Sequence, residues 1–210
     1  MAIIPATEAL AALREGNRRF VSELKAATDG SRARRRQLPA GQQPFAIILG
    51  CSDARVPAEI VFDQGLGDLF VIRVAGNIVA PSQVGSVEFA AETFSARLVV
   101  VLGHSNCGAI HVTLQQLTRP RGEQSRNLSS IVNRVRPAVA GLLERVPLLD
   151  PHRLEQEAVR ANIRMSADHL RHGSEVLEQL IVHDGLVVIG AEYSVETGVV
   201  NFFDGVPTAD

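Results

Sequence analysis

Two cysteines are all that this 210-residue chain contains, too few for a disulfide scaffold, and a chain of this length buries a core without one. Lysine is nearly missing too: Lys25 stands alone, so the cations are almost all arginine, a bias given no functional weight. Lys+Arg total 21 against Asp+Glu 23, a formal charge of −2, which leaves no basic field to draw the chain to nucleic acid. No apolar run approaches the roughly 20 residues that span a bilayer. Met1–Pro5 lacks the basic and apolar stretches of a secretory signal. Nucleic acid and membrane are therefore not expected partners. The default location is a reducing cytoplasm, where both thiols stay free for other chemistry. A composition of 46% hydrophobic and 21% charged residues fits one ordinary globular domain over residues 1–210.

The pattern along the chain predicts an α/β fold. Residues 6–24 carry Leu10, Leu13, Phe20, Val21 and Leu24 at helical spacing, with Thr7 as cap. Residues 28–44, with four arginines from Arg32 to Arg36 and then Pro39, Gly41 and Pro44, read as a loop or arm. Together 1–44 form an N-terminal helix and arm whose charge run is either a solvated face or packing across a subunit interface. Apolar runs at 45–50, 69–74 and 98–102 have the character of strands buried on both faces. Residues 82–95 are read as a helix capped by Ser82, and helices at 107–117, 128–142, 151–171 and 174–183 follow. Residues 186–193 and 198–203 form a strand pair turned by Val195-Glu196-Thr197-Gly198. The whole predicts a mostly parallel central sheet flanked by helices.

The two cysteines fall where chemistry gathers in such a sheet. Cys51-Ser52-Asp53-Ala54-Arg55 follows the first strand, and His104-Ser105-Asn106-Cys107 follows the third. Parallel strands end on one edge, and ligand sites collect there. Two thiolates and an imidazole are donors suited to Zn2+, with Asp53 or water as a fourth ligand. A structural zinc site closes itself with four Cys or His ligands; three leave a position open. Arg55 can fork onto the Asp53 carboxylate and draw it away from the metal, which a purely structural site has no need of. By contrast Gly65-Leu66-Gly67 lacks the third glycine and the lysine of a phosphate loop. His111, one turn after Cys107, is read as a surface or core histidine rather than a proton relay.

Cys51-x-Asp53-x-Arg55 with His104-x-x-Cys107-Gly108 resembles the β-class carbonic anhydrases. Leu13–Phe20, Phe70–Asn77 and Gly85–Ala90 extend the similarity over most of the chain. The resemblance implies that Cys51, His104 and Cys107 bind zinc, with water, hydroxide or Asp53 in the fourth place. It implies attack of zinc-bound hydroxide on CO2 to give bicarbonate, Asp53 and Arg55 being catalytic. Two thiolates make bound water less acidic than in the three-histidine carbonic anhydrase centre, a reference case at about 7. Gln42, Phe70, Ala75, Phe89 and Gly108 fall where the family lines its substrate pocket, with Gln42 coming from a neighbouring subunit.

The same resemblance implies a homodimer or homotetramer whose N-terminal helix wraps a neighbour, and an antiparallel fifth strand at 198–204. Arg73 and Tyr193 fall at two positions of a regulatory bicarbonate pocket found in one branch. Ile48 stands where that branch has tryptophan, so such regulation is not expected. The other readings are a carbonyl sulfide or carbon disulfide hydrolase on the same scaffold, and a non-catalytic zinc-binding interaction module. The Asp53–Arg55 pair argues against the module.

Overall fold

The computed structural model describes residues 3–24, 35–36, 38–118, 125–143 and 150–207. Most of the basic stretch, including Arg32 and Arg34, lies outside the described residues. In chain order the elements are α1 (Ala6–Val21), β1 (Ala46–Gly50), the short α2 (Ala58–Val61), β2 (Leu69–Arg73), α3 (Pro81–Thr93) and β3 (Leu98–His104). Then come α4 (Gly108–Thr118), α5 (Arg126–Leu143), α6 (Pro151–His172), α7 (Glu175–His183), β4 (Val187–Tyr193) and β5 (Val200–Asp204). The sheet runs β2-β1-β3-β4-β5, with the first four strands parallel and β5 antiparallel to β4.

The pleat sorts the core into two layers. Ile47 and Leu49 of β1 and Val99 and Val101 of β3 face Ile110, Val135, Ile163 and Leu170. Ala46, Ile48, Val100 and Leu102 face the other way, onto Leu10, Leu13 and Phe62. Every residue of β1 and β3 is buried, as expected of central parallel strands with helices on both faces. Period-two alternation carries Cys51 onto the same face as Ile47 and Leu49, where Cys107 also lies.

Two helix starts involve a proline that the pattern reading did not use. α1 begins at Ala6, as read, but its N-cap is Pro5 in an extended conformation rather than Thr7. α3 begins at Pro81 behind Ala80 rather than at Ser82. Pro81 stands in the first turn of α3, where a proline fixes a helical φ and has no N–H to leave unpaired. α1 also stops at Val21, and Glu23 has a φ of 57°.

Gly16 and Asn17 tie α1 to the body of the protein. A Cβ on Gly16 would lie 1.8 Å from the Phe62 carbonyl oxygen, so only glycine lets α1 approach the end of α2. Buried Asn17 donates from Nδ2 to the carbonyls of Val61 (3.1 Å) and Gly198 (2.9 Å). Its Oδ1 accepts the Val200 N–H at 2.9 Å. Asn17→Ala should therefore lower unfolding free energy by about 2–4 kcal/mol, because it strands buried backbone groups. Urea denaturation would register this as a lower midpoint with an unchanged slope. Among the described residues no helix is long and apolar enough to cross a membrane.

Candidate metal centre

β1 and β3 are neighbours, with Gly50 opposite Leu102, so the segments leaving their C-terminal ends meet at one edge of the sheet. The Sγ atoms of Cys51 and Cys107 and a ring nitrogen of His104 lie within 4.8 Å of one another, all three residues buried. Among the described residues this is the one such group of His, Cys, Asp or Glu side chains. His104 closes β3, and its Nδ1–H donates to the Ser105 carbonyl at 2.9 Å, since a carbonyl only accepts. That bond fixes the tautomer and leaves the lone pair on Nε2. Nε2 is fully buried and has no hydrogen-bond partner among the described residues.

The two thiols differ electrostatically. A hydrogen bond from Cys107 holds the Cys51 sulfur well below the usual thiol range, and the Gly76 N–H reinforces this at 3.3 Å. The same shared proton pushes Cys107 far up, against the pull of the Ile110 and Ala109 N–H groups. Those amides reach Cys107 because it immediately precedes α4, whose first residue is Gly108. The helix start is thus one residue later than the 107–117 reading. Two buried sulfurs and an imidazole nitrogen without a hydrogen-bond partner, all convergent, fit a borderline-soft cation such as zinc.

Beside this cluster Arg55 forks onto Asp53. Nε meets Oδ1 at 2.9 Å, Nη2 meets Oδ2 at 2.8 Å, and the Arg55 backbone N–H adds a bond to Oδ1 at 3.0 Å. These bonds hold the Asp53 carboxyl well below the usual carboxylate range. Asp53 Oδ2 lies 3.9 Å from His104 Nε2, close to the ligand cluster but turned toward Arg55. Arg73 stiffens the loop from behind, donating from Nε to the Cys51 carbonyl (3.0 Å) and from Nη2 to the Asp53 carbonyl (2.6 Å).

The proposed pocket residues divide between two places. Ala75 adjoins Gly76, whose N–H touches Cys51, and exposed Gly108 adjoins Cys107, so both stand at the cluster. Gln42 precedes β1, at the opposite end of that strand from Cys51. It lines a cavity of about 550 Å³ together with Phe45 and Phe94. Phe70 and Phe89 pack against each other and against Phe94, with ring centroids 5.7–6.1 Å apart. Gln42 and the Phe70–Phe89 pair thus share Phe94 as a neighbour, and Phe70 pairs with Ile47, four residues before Cys51. Phe89 is 52% exposed. His111 bonds Gln115 at 2.8 Å and lies 3.8 Å from Glu155 on the surface. Ile48 is fully buried and Tyr193 nearly so, both in the layer facing α1.

A convergent Cys/His/Cys cluster beside a forked Asp–Arg pair, at the C-terminal edge of a mostly parallel sheet, defines a candidate metal centre in an α/β protein. The carbonic anhydrase family model matches residues 46–200. Carbonic anhydrase 2 of Mycobacterium tuberculosis is 38% identical over 190 residues, covering 89% of this chain and 87% of that protein. The solved structure of the β-carbonic anhydrase CcaA is 26% identical with a TM-score of 0.72, covering 96% of this chain and 90% of that one. One of two tetrameric β-carbonic anhydrases from Sordaria macrospora, at 23% identity, shares the fold with a TM-score of 0.74 over 83% of this chain and 87% of its own. The chain belongs to the carbonic anhydrase family, in its β class.

Sequence reasoning left three contributors to the site unread. The Arg73 brace and the Gly76 amide come from the end of β2 and the turn after it. Glu196, in the β4–β5 turn, accepts from Ser105 Oγ (2.8 Å) and Asn106 Nδ2 (2.6 Å). A strongly polar turn, Ser194 to Thr197, on the same sheet edge as His104 was the available signal.

Proposed function

We propose that this chain catalyses the reversible hydration of CO2 to bicarbonate and a proton, using Zn2+ held by Cys51, His104 and Cys107. One observation carries the reading: three convergent buried donors, including the otherwise unpartnered His104 Nε2, stand beside a carboxylate that Arg55 holds to one side. The cation would supply Lewis acidity, making a nucleophile from water on the alkaline side of neutrality.

The chain's own groups supply orientation. Asp53 stays ionised at any working pH because Arg55 depresses its pKa. It therefore accepts a hydrogen bond from the attacking water and aims its lone pair, but does not retain the proton. Arg55 keeps that carboxylate off the ligand cluster, and Arg73 fixes the backbone that carries both Cys51 and Asp53. Ala75 and Gly108 leave room for a small linear substrate beside the donors.

The remaining pocket residues call for a second copy. Gln42, Phe70 and Phe89 form one patch around Phe94, and the half-exposed Phe89 ring suits burial against a partner. A homodimer or homotetramer places the patch of one chain over the cluster of another. Activity per chain should then fall as dilution drives the protein to monomers, with light scattering and stopped-flow hydration read on the same samples. A stable monomer of full activity would remove Gln42, Phe70 and Phe89 from the pocket.

The experiment that tests the function is stopped-flow CO2 hydration across pH, with zinc content measured on the same sample. Two thiolates offset most of the cation's charge, so the rate should climb on the alkaline side of neutrality. A zinc-loaded protein with no hydration above background would overturn the reading.

A further inference from the structure

The loop between two of the three donors, Ser105–Asn106, is short and partly exposed, and Asn106 has a left-handed φ of 56°. Its position sets both the spacing of His104 from Cys107 and the place of Arg55, whose Nη2 donates to the Asn106 carbonyl at 3.1 Å. Asparagine enters that region more readily than most residues, so the conformation alone does not fix the loop. The hold comes from the turn between β4 and β5, some 90 residues further along the chain.

We propose that Glu196 is a positioning residue that splints this loop, a role that rests on Cys51, His104 and Cys107 being metal ligands. Its carboxylate collects three donors. Oε1 accepts from Asn106 Nδ2 at 2.6 Å, and Oε2 accepts from Ser105 Oγ at 2.8 Å and from Ser194 Oγ at 3.0 Å. The serines are tied in turn: Ser105 Oγ accepts the Val195 N–H at 2.9 Å, and Ser194 Oγ accepts the Thr197 N–H at 3.1 Å. The Ser105 N–H donates to the Tyr193 carbonyl at 2.9 Å, continuing the β3–β4 ladder into the loop. The turn itself is anchored from its far side by Asn17, through Gly198 and Val200. Glu196 touches no donor of the cluster. It acts through Asn106 and Ser105, and through Asn106 on the Arg55 fork.

The splint depends on bond geometry, so substitutions at this one position separate it from a plain charge effect. Glutamine keeps one oxygen for the two serine hydroxyls, and its amide can face the Asn106 side chain once that amide turns over. Aspartate keeps the charge but is one methylene too short. The test loads each variant with zinc and follows release of the metal into excess chelator. Amide hydrogen exchange at Ser105 and Asn106 is measured on the same variants stripped of metal. Glu196→Ala should release zinc about 10-fold faster, the low end for removing a group that orients ligands, and should speed exchange in the loop. Glu196→Asp should behave like Glu196→Ala, and Glu196→Gln should stay within about 3-fold of the wild type in both measurements. Wild-type release and exchange in Glu196→Ala would overturn the proposal. If Glu196→Ala does not fold, the other two decide: a glutamine variant that releases zinc as fast as the aspartate variant, or an aspartate variant as slow as glutamine, would also overturn it. A wild-type chain that takes up no zinc would refute the metal centre instead, and the exchange arm would then decide the splint by itself.

Discussion

Arg55→Ala should lower the rate of CO2 hydration by at least about 100-fold while leaving the zinc content unchanged. Arg55 supplies no donor to the ligand cluster, so its loss leaves Cys51, His104 and Cys107 in place. What it supplies is the restraint on Asp53. Two of the three bonds on that carboxylate come from the guanidinium, at 2.9 and 2.8 Å, and only the backbone bond at 3.0 Å would survive. Freed, the carboxylate needs only a small rotation to reach the cation, because Oδ2 already lies 3.9 Å from His104 Nε2. There it would displace the water it ought to orient. Arg55→Lys should recover little, since an ammonium cannot make the two parallel bonds of a guanidinium. Metal analysis beside stopped-flow kinetics checks both halves, and hydration at the wild-type rate in Arg55→Ala would remove Arg55 and Asp53 from the proposed roles.

Cys107→Ala should have the larger effect on the metal itself. The sulfur it removes sits at the start of α4 and faces Cys51 and His104. Two donors without the third form no tetrahedral base for zinc. The variant should emerge from dialysis against chelator without zinc, with hydration at the uncatalysed background. Cys107→Ser should behave nearly as badly, because a neutral hydroxyl is a poor substitute for a thiolate toward this cation. Circular dichroism separates this from unfolding, since α4 loses only an acceptor at its first turn. A Cys107→Ala protein that keeps its zinc through dialysis would show that the sulfur is not a ligand.

Much of this was legible in the residues because the relevant information is local. Ala46–Gly50 and Leu98–His104 are continuous apolar runs, and continuous burial is what they turn out to have. Cys51 and Cys107 follow such runs directly, so a parallel sheet is enough to bring them together. Strand ends were less exact: β3 runs two residues past the predicted end at Leu102, to His104, because β4 continues alongside as far as Tyr193. The supports of the site were not legible. Asn17, Arg73 and Glu196 each bond groups 20 or more residues away, and no periodicity marks a side chain whose partners are set by tertiary packing. Gln42 and Phe89 were placed by family resemblance alone. Both neighbour Phe94, a grouping that a single sequence does not reveal.

The order of the strands has a consequence for how the protein is made. β3 lies at the centre of the sheet, yet its second neighbour, β4, is nearly the last element of the chain, with Leu98 paired to Val187. All of α4 to α7 intervenes, so this pairing waits on a long stretch of chain that must first fold back over the sheet. Ser105 and Asn106 have their outer partners only once Tyr193 to Glu196 have been synthesised and docked. A nascent chain that has emerged only through β3 and α4 therefore carries both thiols and the imidazole without the frame that spaces them. The centre is therefore framed only once the β4–β5 hairpin has docked.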